Sequence, residues 1–104
     1  MAKLKGTSFR ELNELLGDSN KMKVGHNTWA ERDTDAINIR LHQTVIVKLF
    51  TDKVQFTLGG WNTVTTRERV NQFLPTGNHL NNHRFVAHFN GREISDSEWV
   101  EVAA

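Results

Sequence analysis

Five histidines, His26, His42, His79, His83 and His88, are the first side chains to weigh for chemistry in a chain of 104 residues without cysteine. His79 and His83 stand four apart, which on a helix would turn two imidazoles toward one metal ion. The segment that holds them, "TGNHLNNH", carries a glycine and three asparagines and reads as a polar loop. No carboxylate or thiolate lies close in sequence to complete a tetrahedral set. Solvated loop histidines are therefore expected, with no metal and no cofactor, and His26 and His42 are expected on polar faces. A serine or threonine nucleophile needs a base and an orienting acid beside it. Ser8, Ser19, Ser95 and Ser97 occupy capping or turn contexts instead, and Asp33 and Asp35 in "RDTD" read as turn formers. The sequence contains no G-x-S-x-G, no glycine-rich phosphate loop and no H-E-x-x-H. The expectation is a protein that is not an enzyme.

Binding chemistry is better served by "GGWNTVTTRERVNQFLP", residues 59–75. Arg67, Arg69, Asn71 and Gln72 are expected on the outer side of a helix whose start carries the hydroxyls of Thr63, Thr65 and Thr66. A helix start accepts anions such as phosphate. Trp61, and Trp29 upstream, would stack nucleic-acid bases if exposed, and Arg40 and Lys48 are expected on the outward face of a sheet. Arg40, Trp61, Thr63, Thr65, Arg67, Arg69 and Gln72 are thus the candidate residues for a partner or a nucleic acid. Against nucleic acid stand the absence of helix-turn-helix spacing and of any basic run. The same stretch also reads as a plain strand-to-helix corner with Trp61 capping the edge of the core. The exposure of Trp61 beside Arg67 and Arg69 separates a corner from a site.

These side chains must be positioned by a small domain. At 38% hydrophobic and 24% charged residues, the chain has the composition of one folded domain spanning 1–104. The formal net charge is only +1, but it is unevenly spread. Residues 1–92 hold all 13 Lys and Arg against 8 acids, and residues 93–104 hold 4 acids and no base. A basic body with an acidic end is compatible with an anionic partner. No apolar run approaches the roughly 18 residues that a membrane span requires, and "MAKLKGTSF" lacks a secretory core. A soluble intracellular protein without membrane partners is expected.

Ser8 and Glu11 form a capping box ahead of Phe9, Leu12, Leu15 and Leu16, and Gly17 is a natural stop, predicting a helix over 8–16. Extended segments are predicted at 21–25 and 28–32 around a turn at Gly25–Asn27. Alternation in "AINIRLH", an apolar run in "TVIVKLF" and alternation in "VQFTL" predict an antiparallel meander at 36–41, 44–50 and 54–58. Val54, Phe56 and Leu58 are expected inward, and the middle strand is expected to be central and covered on both faces. Gly59 and Gly60 end the meander. Thr65 and Glu68 predict a second capping box and a helix over 66–74, which Pro75 terminates. "RFVAHF" reads as a strand, Asn90–Gly91 as a hairpin turn, and "EWVEV" as a short edge strand guarded by its acids. The fold class is α+β: a single domain with a curved antiparallel β-sheet of five or six strands and two α-helices.

The stretch "RLHQTVIVKLFTDKVQFTLGGWNTVTTRERVNQF" resembles a family of small, mostly uncharacterised tailed-bacteriophage proteins. These share Leu-His-x-Thr, then Gly-Gly-Trp, then Thr-x-Thr-Thr ahead of an Arg-x-x-Asn helix. Leu41, His42, Thr44, Gly59, Gly60, Trp61, Thr63, Thr65 and Thr66 carry the pattern here, and the similarity covers about residues 24–74. The departures are Gln43 and Lys53, where glycine is frequent, and Arg69 with Asn71, which stand as Arg-x-Asn. The resemblance implies a phage accessory protein without an established activity. Its expected role is non-catalytic: to bind and modulate or inhibit a host or anti-phage defence protein in the host cytoplasm. Two alternatives stand beside it, a nucleic-acid-binding protein using the 63–72 corner and a minor structural virion protein.

Overall fold

Ser8 starts the first helix as its side chain predicts: its hydroxyl accepts the Glu11 amide at 3.2 Å, and the Glu11 carboxylate takes the Thr7 amide at 3.4 Å. The computed structural model describes residues 4–104, so the sequence reading of the chain start falls partly on residues 1–3, outside them. Helix α1 (Phe9–Leu16) ends at Gly17, at φ +54°. Leu12 and Leu16 are buried and Phe9 packs against the core, but Leu15, expected on the same face, is 50% exposed.

Strands β1 (Lys21–Gly25), β2 (Thr28–Arg32), β3 (Ile37–Leu41), β4 (Thr44–Leu49) and β5 (Lys53–Phe56) follow as an antiparallel meander. Ile37, Ile39, Leu41, Val54, Phe56 and Leu58 all face the core, as alternation requires. The apolar run Val45–Val47 has a different cause from the double coverage expected of it. Ile39 pairs with Val47 while the next residue, Arg40, pairs with Val45, which leaves Ile46 as the extra residue of a bulge. Ile46 and Val47 are therefore buried as neighbours.

Helix α2 (Val64–Phe73) then packs on β4, and its cap is a correction to the sequence reading. Thr63, not Thr65, is the N-cap, its hydroxyl accepting the Thr66 amide at 3.2 Å. "TGNHLNNH" is not all loop. Strands β6 (Leu80–His83), β7 (Val86–Phe89) and β8 (Arg92–Glu93) form a second, three-stranded sheet, with Arg84 and Phe85 in the turn rather than in a strand. The polar β6 is held by pairing, because the Asn71 side chain bonds both the amide of Leu80, at 2.8 Å, and its carbonyl, at 2.7 Å. Asn71 thus points at this sheet rather than outward.

Asn90–Gly91 makes the expected turn between β7 and β8, at φ +51° and +84°. Strand β9 (Val100–Ala103) returns to pair with β5 at the edge of a six-stranded sheet ordered β1-β2-β3-β4-β5-β9. Phe56 and Phe89, with ring centroids 5.1 Å apart, join the two sheets through one core. The fold is α+β, two helices against antiparallel sheet.

Gly59 and Gly60 turn the chain from β5 to α2 at φ +62° and +85°. A Cβ at Gly59 would lie 2.5 Å from the Thr44 methyl, whereas one at Gly60 meets nothing within 4 Å. Gly59→Ala is therefore expected to cost about 2–3 kcal/mol and Gly60→Ala about 1 kcal/mol in urea unfolding.

At the β9 edge, Gln55 Nε2 donates to Glu101 at 3.0 Å and Lys53 Nζ lies 3.4 Å from it. The Gln55 hydrogen bond first, then the Lys53 charge, hold the Glu101 carboxyl below its ordinary range. A carboxyl depressed in the folded state adds stability above its unfolded pKa and loses it as pH falls through the folded pKa. Glu101→Gln should flatten that acid limb, read from unfolding midpoints across a pH series.

Candidate functional site

The loop after β5, the β3–β4 hairpin and the start of α2 enclose an open groove of about 620 Å³. Leu41, Ile46 and Leu58 lie at its base, all three buried in the core, and the exposed Trp61 forms a rim. Thr44, Thr63, Thr65 and Thr66 complete the walls with the His42–Gln43 turn. Each is placed by a local device. His42, at φ +55°, turns β3 into β4 in two residues, with its amide bonded to the Asn27 carbonyl at 2.8 Å. Gly60 donates to the Asp96 carbonyl at 2.8 Å, which ties the corner to the acidic end of the chain. Trp61 stands out from that corner, 64% exposed, with Val64 beside it at 61%.

Two of the groove's hydroxyls are engaged with each other. Thr63 Oγ1 accepts the Thr66 amide and lies 3.0 Å from Thr66 Oγ1. No nucleophile, base and acid come together among the described residues lining the groove. What the recess offers is apolar surface of the size of one or two side chains.

The structure divides the residues that the sequence grouped as a site. Trp61, Thr63 and Thr65 meet at the groove. Arg67 flanks it, its guanidinium donating to Asn62, whose Nδ2 in turn donates to Asn82 at 2.9 Å. Arg69 is not on the outer side of α2. It is 4% exposed, with one bond to the His26 carbonyl at 3.3 Å and with Nε and Nη1 buried without a partner. Arg40 lies on the outward face of β3, held by both carboxylate oxygens of Glu31 at 3.2 and 3.1 Å and stacked 5.8 Å from Trp29. Gln72 lines a separate recess near α1 and Pro75. Sequence reasoning missed His42 and Gln43 as groove residues. The signal was present, because two strands separated by two residues read as a hairpin whose turn must sit at the sheet end.

The histidine cluster is more ordered than a loop. His79, His83 and His88 line one shallow depression of the small sheet, around Asn81. The rings of His83 and His88 are 5.9 Å apart, edge to face. No group of three or more His, Asp or Glu among the described residues is arranged to hold a metal ion.

The fold and groove define a small α+β domain built around an apolar recess at a strand-to-helix corner. The model of the Kyanoviridae Gp96 protein family matches residues 7–103, and the chain belongs to that family of phage proteins. No curated protein and no solved structure matches it. No helix among the described residues is long and apolar enough to cross a membrane.

Burying a charge without a partner is unfavourable, and an apolar replacement of similar shape removes that cost. Arg69→Met is therefore expected to leave stability unchanged or raise it by about 1–2 kcal/mol. Thr63→Ala should lower it by about 1 kcal/mol, with Thr65→Ala nearly silent. Thermal and urea unfolding of the three variants checks the assignment.

Proposed function

We propose that this phage protein is a non-catalytic accessory factor that captures a host or anti-phage defence protein in the host cytoplasm and modulates or inhibits it. The observation that carries the reading is the exposed Trp61 standing over an apolar groove. Aromatic residues at the lip of a pocket are the usual anchors of protein interfaces, where a few side chains supply most of the affinity. A partner segment would place one apolar side chain in the recess above Leu41, Ile46 and Leu58 and pack it against the exposed Trp61. Val64 widens the apolar surface, and Arg67 gives it a polar border.

The nucleic-acid reading draws less support from the same geometry. Of the three arginines assigned to it, Arg69 is buried and Arg40 is paired with Glu31 on the outward face. Phosphate binding rests on cations free to face the backbone. Arg67 alone remains at the corner.

Capture of tagged protein from infected cells tests the proposal. Wild type should retain one protein partner in stoichiometric amount, and Trp61→Ala should weaken retention at least about tenfold without lowering the melting temperature. Recovery of nucleic acid without a protein, or equal retention by the variant, would overturn it. Finding the chain in purified particles in fixed copy number would replace it with a structural role.

A further inference from the structure

We propose that the free protein self-associates as a twofold dimer in which Phe85 of each copy enters the groove of the other. This inference rests on the reading above that the groove accepts an apolar side chain, and it names the occupant present before any host partner arrives.

The two hairpins of the small sheet supply the first argument. Both have two-residue turns with both residues at positive φ: Asn90–Gly91 at +51° and +84°, and Arg84–Phe85 at +50° and +68°. That conformation suits Asn-Gly, and β7 to β8 uses it. From β6 to β7 the same backbone carries arginine and phenylalanine. A bulky side chain at left-handed φ is a genuine outlier and is unfavourable by about 1–3 kcal/mol. Phe85 gains nothing in return inside its own chain, where it is 94% exposed, the most exposed of the large hydrophobic residues. Strain and exposure at one residue mark a side chain presented outward rather than one used for folding.

The groove supplies the second argument. The groove is open beside the exposed Trp61, and at about 620 Å³ it has ample room for a phenyl ring. The Asn62–Asn82 hydrogen bond, at 2.9 Å, fastens β6 beside the Trp61 corner, so hairpin and groove share one end of the molecule. Two copies facing end to end each offer a knob and a hole, and such an isologous contact closes on itself instead of growing into a filament. Charge agrees with this pairing. Arg84, next to Phe85, and Glu68, one helical turn beyond Val64 and Thr65, are both exposed and make no ion pair among the described residues. A seated Phe85 would bring Arg84 to the groove border where Glu68 of the other copy stands.

Sedimentation velocity on the full chain, from about 1 to about 200 µM, reads the proposal, because a dimer must strengthen with concentration. Wild type should pass from monomer to dimer across that range. Phe85→Gly removes the knob and relieves the left-handed strain, so it should lose the dimer at least about tenfold while melting no lower than wild type. Thr65→Trp, which fills the groove, should lose it as well. A wild type that stays monomeric throughout, or a Phe85→Gly variant that dimerises as wild type does, would overturn the proposal. Capture of a host protein by Phe85→Gly would be retained in either case, which keeps the two readings separately testable.

Discussion

The missing side chain at residue 59 is the constraint on which the open end of the molecule depends. β5 has to leave the sheet, pass over β4 and start a helix within a few residues, and the Thr44 methyl occupies the place where any Cβ would go. The left-handed φ of Gly59 and the close approach to Thr44 are two demands met by one residue. Once the chain is bent there, Leu58 stays in the core while Trp61, three residues on, stands in solvent. The bulge at Ile46 serves the same corner, because the Ile46 carbonyl accepts the Thr57 amide at 2.8 Å just before the bend. The groove is the gap left between a bulged strand, a tight hairpin and a helix that starts one turn away from them.

The arginines show how far charge in this chain is structural. Arg32 reaches across to the end of α1, where it donates to the Gly17 carbonyl at 2.7 Å and to Asn13 Oδ1 at 2.7 Å. A cation there satisfies carbonyls that the last helical turn leaves open and meets the negative end of the helix dipole. Arg40 closes a pair across two strands with Glu31, and Arg69 lies inside against the turn at His26. Counting cations along the sequence therefore overstated the positive surface available to a ligand at the corner. Each of these guanidiniums has a long apolar stem, and burying the stem while bonding backbone carbonyls is what arginine does well.

Much of the fold was legible because local chemistry and burial agreed. Ser8 and Glu11, the alternation through β3 and β5, and Asn90–Gly91 each give one local signal with one structural solution. The failures fall where two signals compete. Thr63 and Thr65 are each followed three residues later by a side chain able to bond back, Thr66 and Glu68, so the sequence cannot choose the cap that the glycine corner selects. Arg69 is polar by type yet lies on the same buried side as Val70 and Phe73, a placement only tertiary packing decides. "LNNH" has no strand pattern, because its backbone is held by Asn71 and by β7, not by burying alternate side chains. Of the candidate site, the Trp61–Thr65 half was readable from its corner motif. The β3–β4 half lay 15 to 20 residues away along the chain and came together with it only through the bend.

The state of the threonine hydroxyls decides what kind of guest the groove favours. Thr63 Oγ1 already receives an amide and sits against Thr66 Oγ1, so these groups have their partners before anything binds. A polar guest would give up its water and find these two hydroxyls spent, and an unmet buried polar group is worth about 1–3 kcal/mol against it. An apolar guest loses nothing of that kind and covers the exposed Trp61, at about 25 cal/mol for each Å² removed from water. On the proposed reading the guest is a protein side chain, and Arg67 at the border of the groove would set its orientation.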